Sequence, residues 1–176
     1  MALQAMLWLT VLQAGAQPRI SIFFDHVGDI ARQEKISVTE AAQRVRQLGI
    51  EGIDVRVLTP DSQMRMLDSL GFQHASAIAD IDFVKGEQPK AVRQSLDFMH
   101  RYHYSRLLVI PGFLPEDASS ELVDEACERV AAFVRVAADE GIDVMVEDYD
   151  NPRSPCYNTS SLDHLFAASP DRKSVV

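Results

Sequence analysis

The chain has 176 residues, 47% of them apolar, and a formal net charge of -9. That size and apolar content suit one folded domain with its own core and exclude general disorder. The negative charge disfavours a nucleic-acid partner, which needs a basic surface to displace counterions. It leaves a small anionic substrate open, because a pocket or a bound metal can reverse the local field.

The N-terminal residues 2–13 are mostly apolar, and Ala14-Gly15-Ala16 resembles a small-residue cleavage site. No Lys or Arg precedes the apolar run, as a signal peptide would require, and the run is too short to span a membrane. An extra helix and a start codon placed upstream of the true one are the other readings. Residues 1–19 are therefore set apart as an extension. The two cysteines, Cys127 and Cys156, match no C-x-x-C spacing and are too few for a disulfide framework. A reducing, cytoplasmic setting is expected, with no membrane partner.

From Ile20 onward short apolar runs alternate with longer amphipathic ones. Residues 20–24 read as the first strand. Ser37 opens a helix, with Glu40 completing a capping box. Val38, Ala41, Ala42, Val45 and Leu48 share one face of it, and Gly49 ends it as a left-handed cap. Residues 52–57 form the second strand. Thr59 and Pro60 start the next helix as N-cap and first position, and Gly71 stops it. Residues 72–78 form the third strand, 90–102 a helix, and 106–110 an apolar fourth strand. Ser119 or Ser120 caps a long helix whose inner face carries Leu122, Ala126, Val130, Phe133 and Ala137. Gly141 ends that helix, residues 142–146 form the fifth strand, and a last helix begins near Thr159 to Ser161.

Five strand-then-helix units with near-continuous apolar strands mean a parallel sheet covered by helices. No G-x-G-x-x-G follows the first strand, so a dinucleotide-binding open sheet has no support. The fold class expected is α/β: an incomplete (β/α)₈ TIM barrel of about five units over residues 20–170, since a full barrel takes about 250 residues. Residues 171–176 match a translation of the start of a common short-read sequencing adapter, whose next codon is a stop. They are expected to be foreign to the gene.

In such a barrel the chemistry sits at the C-terminal ends of the strands. Asp25 and His26 follow strand one and are expected at the mouth, or else as a polar strand exit with a capping acid. Asp54 lies within strand two and needs a partner, read as an arginine. His74 sits early in strand three, as a bonded buried histidine or a ligand-binding one. Asp80 and Asp82 lie just past that strand, better placed for chemistry by position, or else as plain loop acids. Ile110-Pro111-Gly112-Phe113 ends strand four, either as a tight turn with a packing phenylalanine or as a place where the backbone can approach a ligand closely. Glu147 closes an apolar strand where a carboxylate is costly, and a hard divalent cation is one reason to hold it there; a solvated acidic loop with Asp148 and Asp150 is the other. His100 and His103 stand at i, i+3 near a helix C-terminus, a spacing that could bind a metal, but at the end away from the mouth, where helix charge or surface placement explains them better. Cys127 reads as packing, and Met64 and Met66 as core and rim.

The segments 20–26 (I-S-I-F-F-D-H), 49–55 (G-I-E-G-I-D-V), 108–113 (L-V-I-P-G-F) and 147–157 (E-D-Y-D-N-P-R-S-P-C-Y) resemble the sugar phosphate isomerase/epimerase family, the xylose isomerase-like TIM barrels. The resemblance spans about residues 20–166 and is most specific after strand five. It implies that Glu147 ligates a divalent metal (Mn²⁺, Mg²⁺, Co²⁺ or Zn²⁺) and takes part in proton transfer. The other ligands would come from strands six to eight, which this sequence lacks. It also implies a sugar or sugar-phosphate substrate, proton abstraction beside a carbonyl and an enediolate, with Asp25, His26, His74, Asp148 and Asp150 as candidate substrate contacts. The piece alone is expected to be inactive. An apurinic-site endonuclease and a non-catalytic sugar-binding barrel are the alternatives.

Overall fold

The computed structural model describes residues 20–147, 151–157 and 159–168. The expectations for residues 1–19, for Asp148 and Asp150 and for the tail 171–176 lie outside them. The elements run β1 (Ser21–Phe23), α1 (Phe24–Glu34), α2 (Val38–Gln47), β2 (Gly52–Arg56), α3 (Asp61–Ser69), β3 (Gln73–Asp80), a 3₁₀ turn (Phe83–Lys85), α4 (Pro89–Tyr102), β4 (Arg106–Ile110), α5 (Ser120–Asp139), β5 (Asp143–Val146) and α6 (Thr159–Ala168).

The five strands form one sheet in the order β1-β2-β3-β4-β5, and every neighbouring pair is parallel. Right-handed crossovers that always step the same way put every connecting helix on one side of the sheet. A doubly wound sheet would reverse direction at a switch point; here the order never reverses. The sheet is therefore an arc of a TIM barrel.

Burial follows from that geometry. Ile53 and Val55, Ala77 and Ala79, Leu107 and Val109, and Val144 are all buried against the helices. By alternation the residues between them face the barrel side. Register sets these in rows: Asp54 beside Ser76, then Arg56, Ile78, Leu108 and Met145, then Asp80 beside Ile110. A shift between Ile53 and Asp54 adjusts the β2–β3 register. Gly52 lets β1 close onto β2, since a Cβ there would lie 2.8 Å from that of Ser21.

Local signals set most boundaries. Ser37 accepts from the Glu40 amide at 3.1 Å, and Ser119 from the Leu122 amide at 3.2 Å. Gly49, Gly71 and Gly141 follow their helices with φ of 87°, 72° and 77°. Pro60, not Thr59, is the N-cap of α3.

One helix departs from expectation. The chain leaves β1 directly into α1, where the sequence alone gave only a polar strand exit. Phe24, Val27 and Ala31 bury one face of it, and Lys35 ends it in the left-handed conformation in place of a glycine. Asp25 and His26 thus stand in a helical first turn. Strand three also runs two residues further than expected, so that Asp80 is its last residue.

Candidate active site at the strand mouth

Arg56 is the last residue of β2 and reaches both neighbouring strand ends. Its Nε donates to Asp25 Oδ2 at 2.9 Å and its Nη1 to Asp80 Oδ2 at 2.5 Å. Its pKa is held above the ordinary guanidinium value, first by the hydrogen bond to Asp25 and then, against the cost of burial, by the charge of Asp80. The partner of Asp54 expected to be an arginine is instead Ser76, which donates its hydroxyl to Asp54 Oδ1 at 2.6 Å. Asp54 is buried beside it, one row below Arg56.

Glu147 directly follows β5. Its amide donates to the Val109 carbonyl at 2.9 Å, extending the ladder by one step. The alternation of Val144 and Val146 into the helix layer leaves Glu147 on the barrel side, half-buried, in the row of Ile110 and Asp80. Its carboxylate has no hydrogen-bond or ion-pair partner among the described residues. The loop beyond it is tied back to the loop after β4: Arg153 Nε donates to the Leu114 carbonyl at 2.7 Å, and the Leu114 amide to the Arg153 carbonyl at 2.6 Å.

The exits of β3 and β4 are locked together. The Ile81 and Phe83 amides donate to the Ile110 and Pro111 carbonyls at 3.1 and 3.0 Å. Gly112 has φ 95°, and a Cβ there would come within 2.3 Å of Asp82 Oδ1, so only glycine permits the approach. Asp82 is occupied in capping the 3₁₀ turn and pairing with Lys85 at 2.7 Å. Phe113, expected to pack, is 39% exposed.

Of the sequence-derived site residues, Asp25, His26 and Glu147 stand at the mouth. His26 is exposed there, 3.5 Å from Asp29 and edge-on to Phe23. His74 does not. It stands at the opposite end of β3, where Nδ1 lies 2.6 Å from the Tyr102 carbonyl, Nε2 lies 2.8 Å from Asp68, and the ring stacks on Tyr104 at 4.5 Å. Both nitrogens are committed a strand's length from the mouth. Nothing in the sequence marks Arg56 as a mouth residue, because its partners lie 31 and 24 residues away.

A hard divalent cation wants several oxygen ligands. The uncommitted carboxylate of Glu147 suits one, but Asp25 and Asp80 are engaged by Arg56. Among the described residues no group of three or more His, Cys, Asp or Glu side chains converges to hold a metal. The donor set present fits one corner of a site.

No protein-family model matches the chain, and neither does any curated protein. Solved structures do. The chain is similar to the probable 3-DHS dehydratase AsbF of Bacillus anthracis, at TM-score 0.67 and 16% identity over 89% of this chain. It is similar to a sugar phosphate isomerase/epimerase of Parabacteroides distasonis, at TM-score 0.64 and 13% identity, with 93% of this chain and 68% of that one covered. A magnesium complex of a xylose isomerase-like TIM barrel protein from Mycobacterium smegmatis matches at TM-score 0.56 and 16% identity, over 78% of this chain and 54% of that one. Other matches include a Methylomonas D-allulose 3-epimerase in complex with D-allulose and a family 2 AP endonuclease from Brucella melitensis. The chain spans 61% of the length of the AsbF structure. These likenesses show the fold, a TIM barrel, with five β/α units in the described residues.

Proposed function

We propose that the chain is the N-terminal part of a divalent-metal-dependent sugar or sugar-phosphate isomerase or epimerase, and that this part alone is inactive. The observation that carries the reading is Glu147: a half-buried carboxylate without a partner among the described residues, at the C-terminal end of a barrel strand. Isomerases and epimerases among the similar folds support the reaction class, the magnesium-bound one the metal, and the D-allulose complex a small sugar ligand. The matching AP endonuclease keeps an apurinic-site endonuclease as the second reading, and the charge of -9 weighs against it.

Glu147 would supply one oxygen ligand, and the remaining ligands would come from further β/α units. A divalent ion there supplies Lewis-acid stabilisation of charge that develops on substrate oxygens. The residues of this chain would do the rest. Glu147 would hold or pass the proton beside the substrate carbonyl. Arg56 would fix Asp25 and Asp80 at the rim and keep them from competing for the cation. Asp148, Asp150 and His26 remain proposed substrate contacts. Among the described residues no helix is long and apolar enough to cross a membrane, and a cytoplasmic setting is part of the proposal.

The test is to recover the gene from its source DNA, read on past the codon for Pro170, and assay the protein it encodes. We expect further β/α units that bring acids and a His or Gln to their strand ends, and Mn²⁺-dependent turnover of a ketose that Glu147→Gln abolishes. Full turnover by Glu147→Gln would refute the role given to Glu147.

A further inference from the structure

Beside the mouth, between α1 and the start of α3, lies a cleft of about 600 Å³. That is the size of a small-molecule site. Asp25, Asp29, Arg32 and Arg56 line it, and their charges cancel in pairs: Arg32 bonds to Asp29, and Arg56 to Asp25. Two further lining side chains, the Thr59 hydroxyl and the Gln63 amide, are half-buried and have no hydrogen-bond partner among the described residues. Phe24, Leu58 and Pro60 add apolar surface, with Leu58 74% exposed at the edge.

We infer that this cleft binds a neutral polyhydroxyl ligand, the distal end of a sugar whose reacting end lies at the mouth. The inference rests on the sugar reading above. Hydroxyl groups both donate and accept, so they match a wall that interleaves carboxylates, guanidinium groups, an amide and a hydroxyl. The C–H faces of a sugar match the Leu58 and Pro60 surface. A phosphate dianion does not match: it would meet Asp25 and Asp29 with no uncompensated cation, since Asp80 also draws on Arg56. The cleft therefore selects unphosphorylated sugars over sugar phosphates. Arg56 belongs to both places and joins the cleft to the mouth.

Gly28 offers a clean test. It lies inside α1 and lines the cleft, and a Cβ there meets nothing nearer than the Arg32 guanidinium at 3.7 Å. Gly28→Leu should therefore fold, since leucine favours a helix over glycine, while its side chain fills the cleft. The full chain is titrated with D-fructose, fructose 6-phosphate and inorganic phosphate, and its backbone amide resonances are followed. We expect D-fructose to shift Thr59 and Gln63, and Gly28→Leu or Gln63→Ala to weaken that binding by roughly tenfold or more. Fructose shifts confined to Ile110 and Glu147 and insensitive to Gly28→Leu would overturn the cleft and leave the sugar reading standing. Phosphate binding that Gly28→Leu removes would overturn the neutral ligand. No shift with any of the three probes would overturn the cleft too, while the Glu147 assay judges the sugar reading separately.

Discussion

The two ends of the same five strands use the same residue types in opposite ways. At the N-terminal end the polar groups are spent on structure: His74 spans the Tyr102 carbonyl and Asp68 while stacked on Tyr104, and His100 meets Glu140 at 2.6 Å. At the C-terminal end Glu147 and the Thr59 and Gln63 side chains have no hydrogen-bond partner among the described residues. A histidine or a carboxylate is thus no indicator of chemistry by itself. What separates the two uses is whether its hydrogen-bonding capacity is already filled. At the C-terminal end Arg56 also fills Asp25 and Asp80, so the contrast lies in the groups left over beside that network.

The sharpest way to break this contrast is to perturb the packing both ends share. Leu107, fully buried in β4, should cost about 2–5 kcal/mol as Leu107→Ala, read as a lower urea midpoint. A smaller loss would mean that the helix layer is not the main support. Next comes the structural end. His74→Leu strips partners from Asp68 and from the Tyr102 carbonyl, and should cost about 1–3 kcal/mol in the same assay. Ser119→Ala removes the cap of α5 and should cost about 1 kcal/mol. At the other end Glu147→Gln should change stability by less than about 0.5 kcal/mol, because no internal contact is lost.

Alkaline pH offers an independent handle on the helix layer. Burial, aided by Asp124, pushes the Cys127 thiol up to about 11 from an ordinary 9.0, and burial also raises the Tyr104 hydroxyl. In both cases the folded chain holds its proton more tightly than the unfolded one. The Cys127 contribution is therefore complete below pH 9 and lost as pH rises toward 11, while that of Tyr104 is complete below pH 10 and lost above it. Stability measured across that interval should fall, and Cys127→Ser should flatten part of the fall. The same burial predicts that Cys127 reacts with iodoacetamide only as the chain unfolds.

Much of the fold was legible because its signals are local. The glycines at 49, 71 and 141 and the caps at Ser37 and Ser119 each act within one helical turn, and the strands are short apolar runs between them. Helix α1 was not legible: Gly28 interrupts its pattern, and Lys35 takes the left-handed position usually marked by glycine. A residue's place at the mouth was legible where position along a strand decides it, as for Glu147. It was not where register decides it. That Asp54 meets Ser76 and Arg56 meets Asp25 and Asp80 depends on how three strands align. The place of His74 early in its strand was legible too, but its partners, the Tyr102 carbonyl and Asp68, are set by packing and not by the strand pattern. The cleft beside α1 had no sequence signal, since its two main walls, on α1 and around the start of α3, lie more than twenty residues apart.

The most direct test of the central claim is Mn²⁺ binding by the protein encoded by the complete gene, compared with its Glu147→Gln variant and with His74→Leu. The account predicts that Glu147→Gln weakens Mn²⁺ binding on the order of a hundredfold, as loss of a ligand should, at unchanged stability. It predicts that His74→Leu lowers stability and leaves Mn²⁺ affinity as it was. Equal Mn²⁺ affinity in wild type and Glu147→Gln would contradict the division of labour between the two ends.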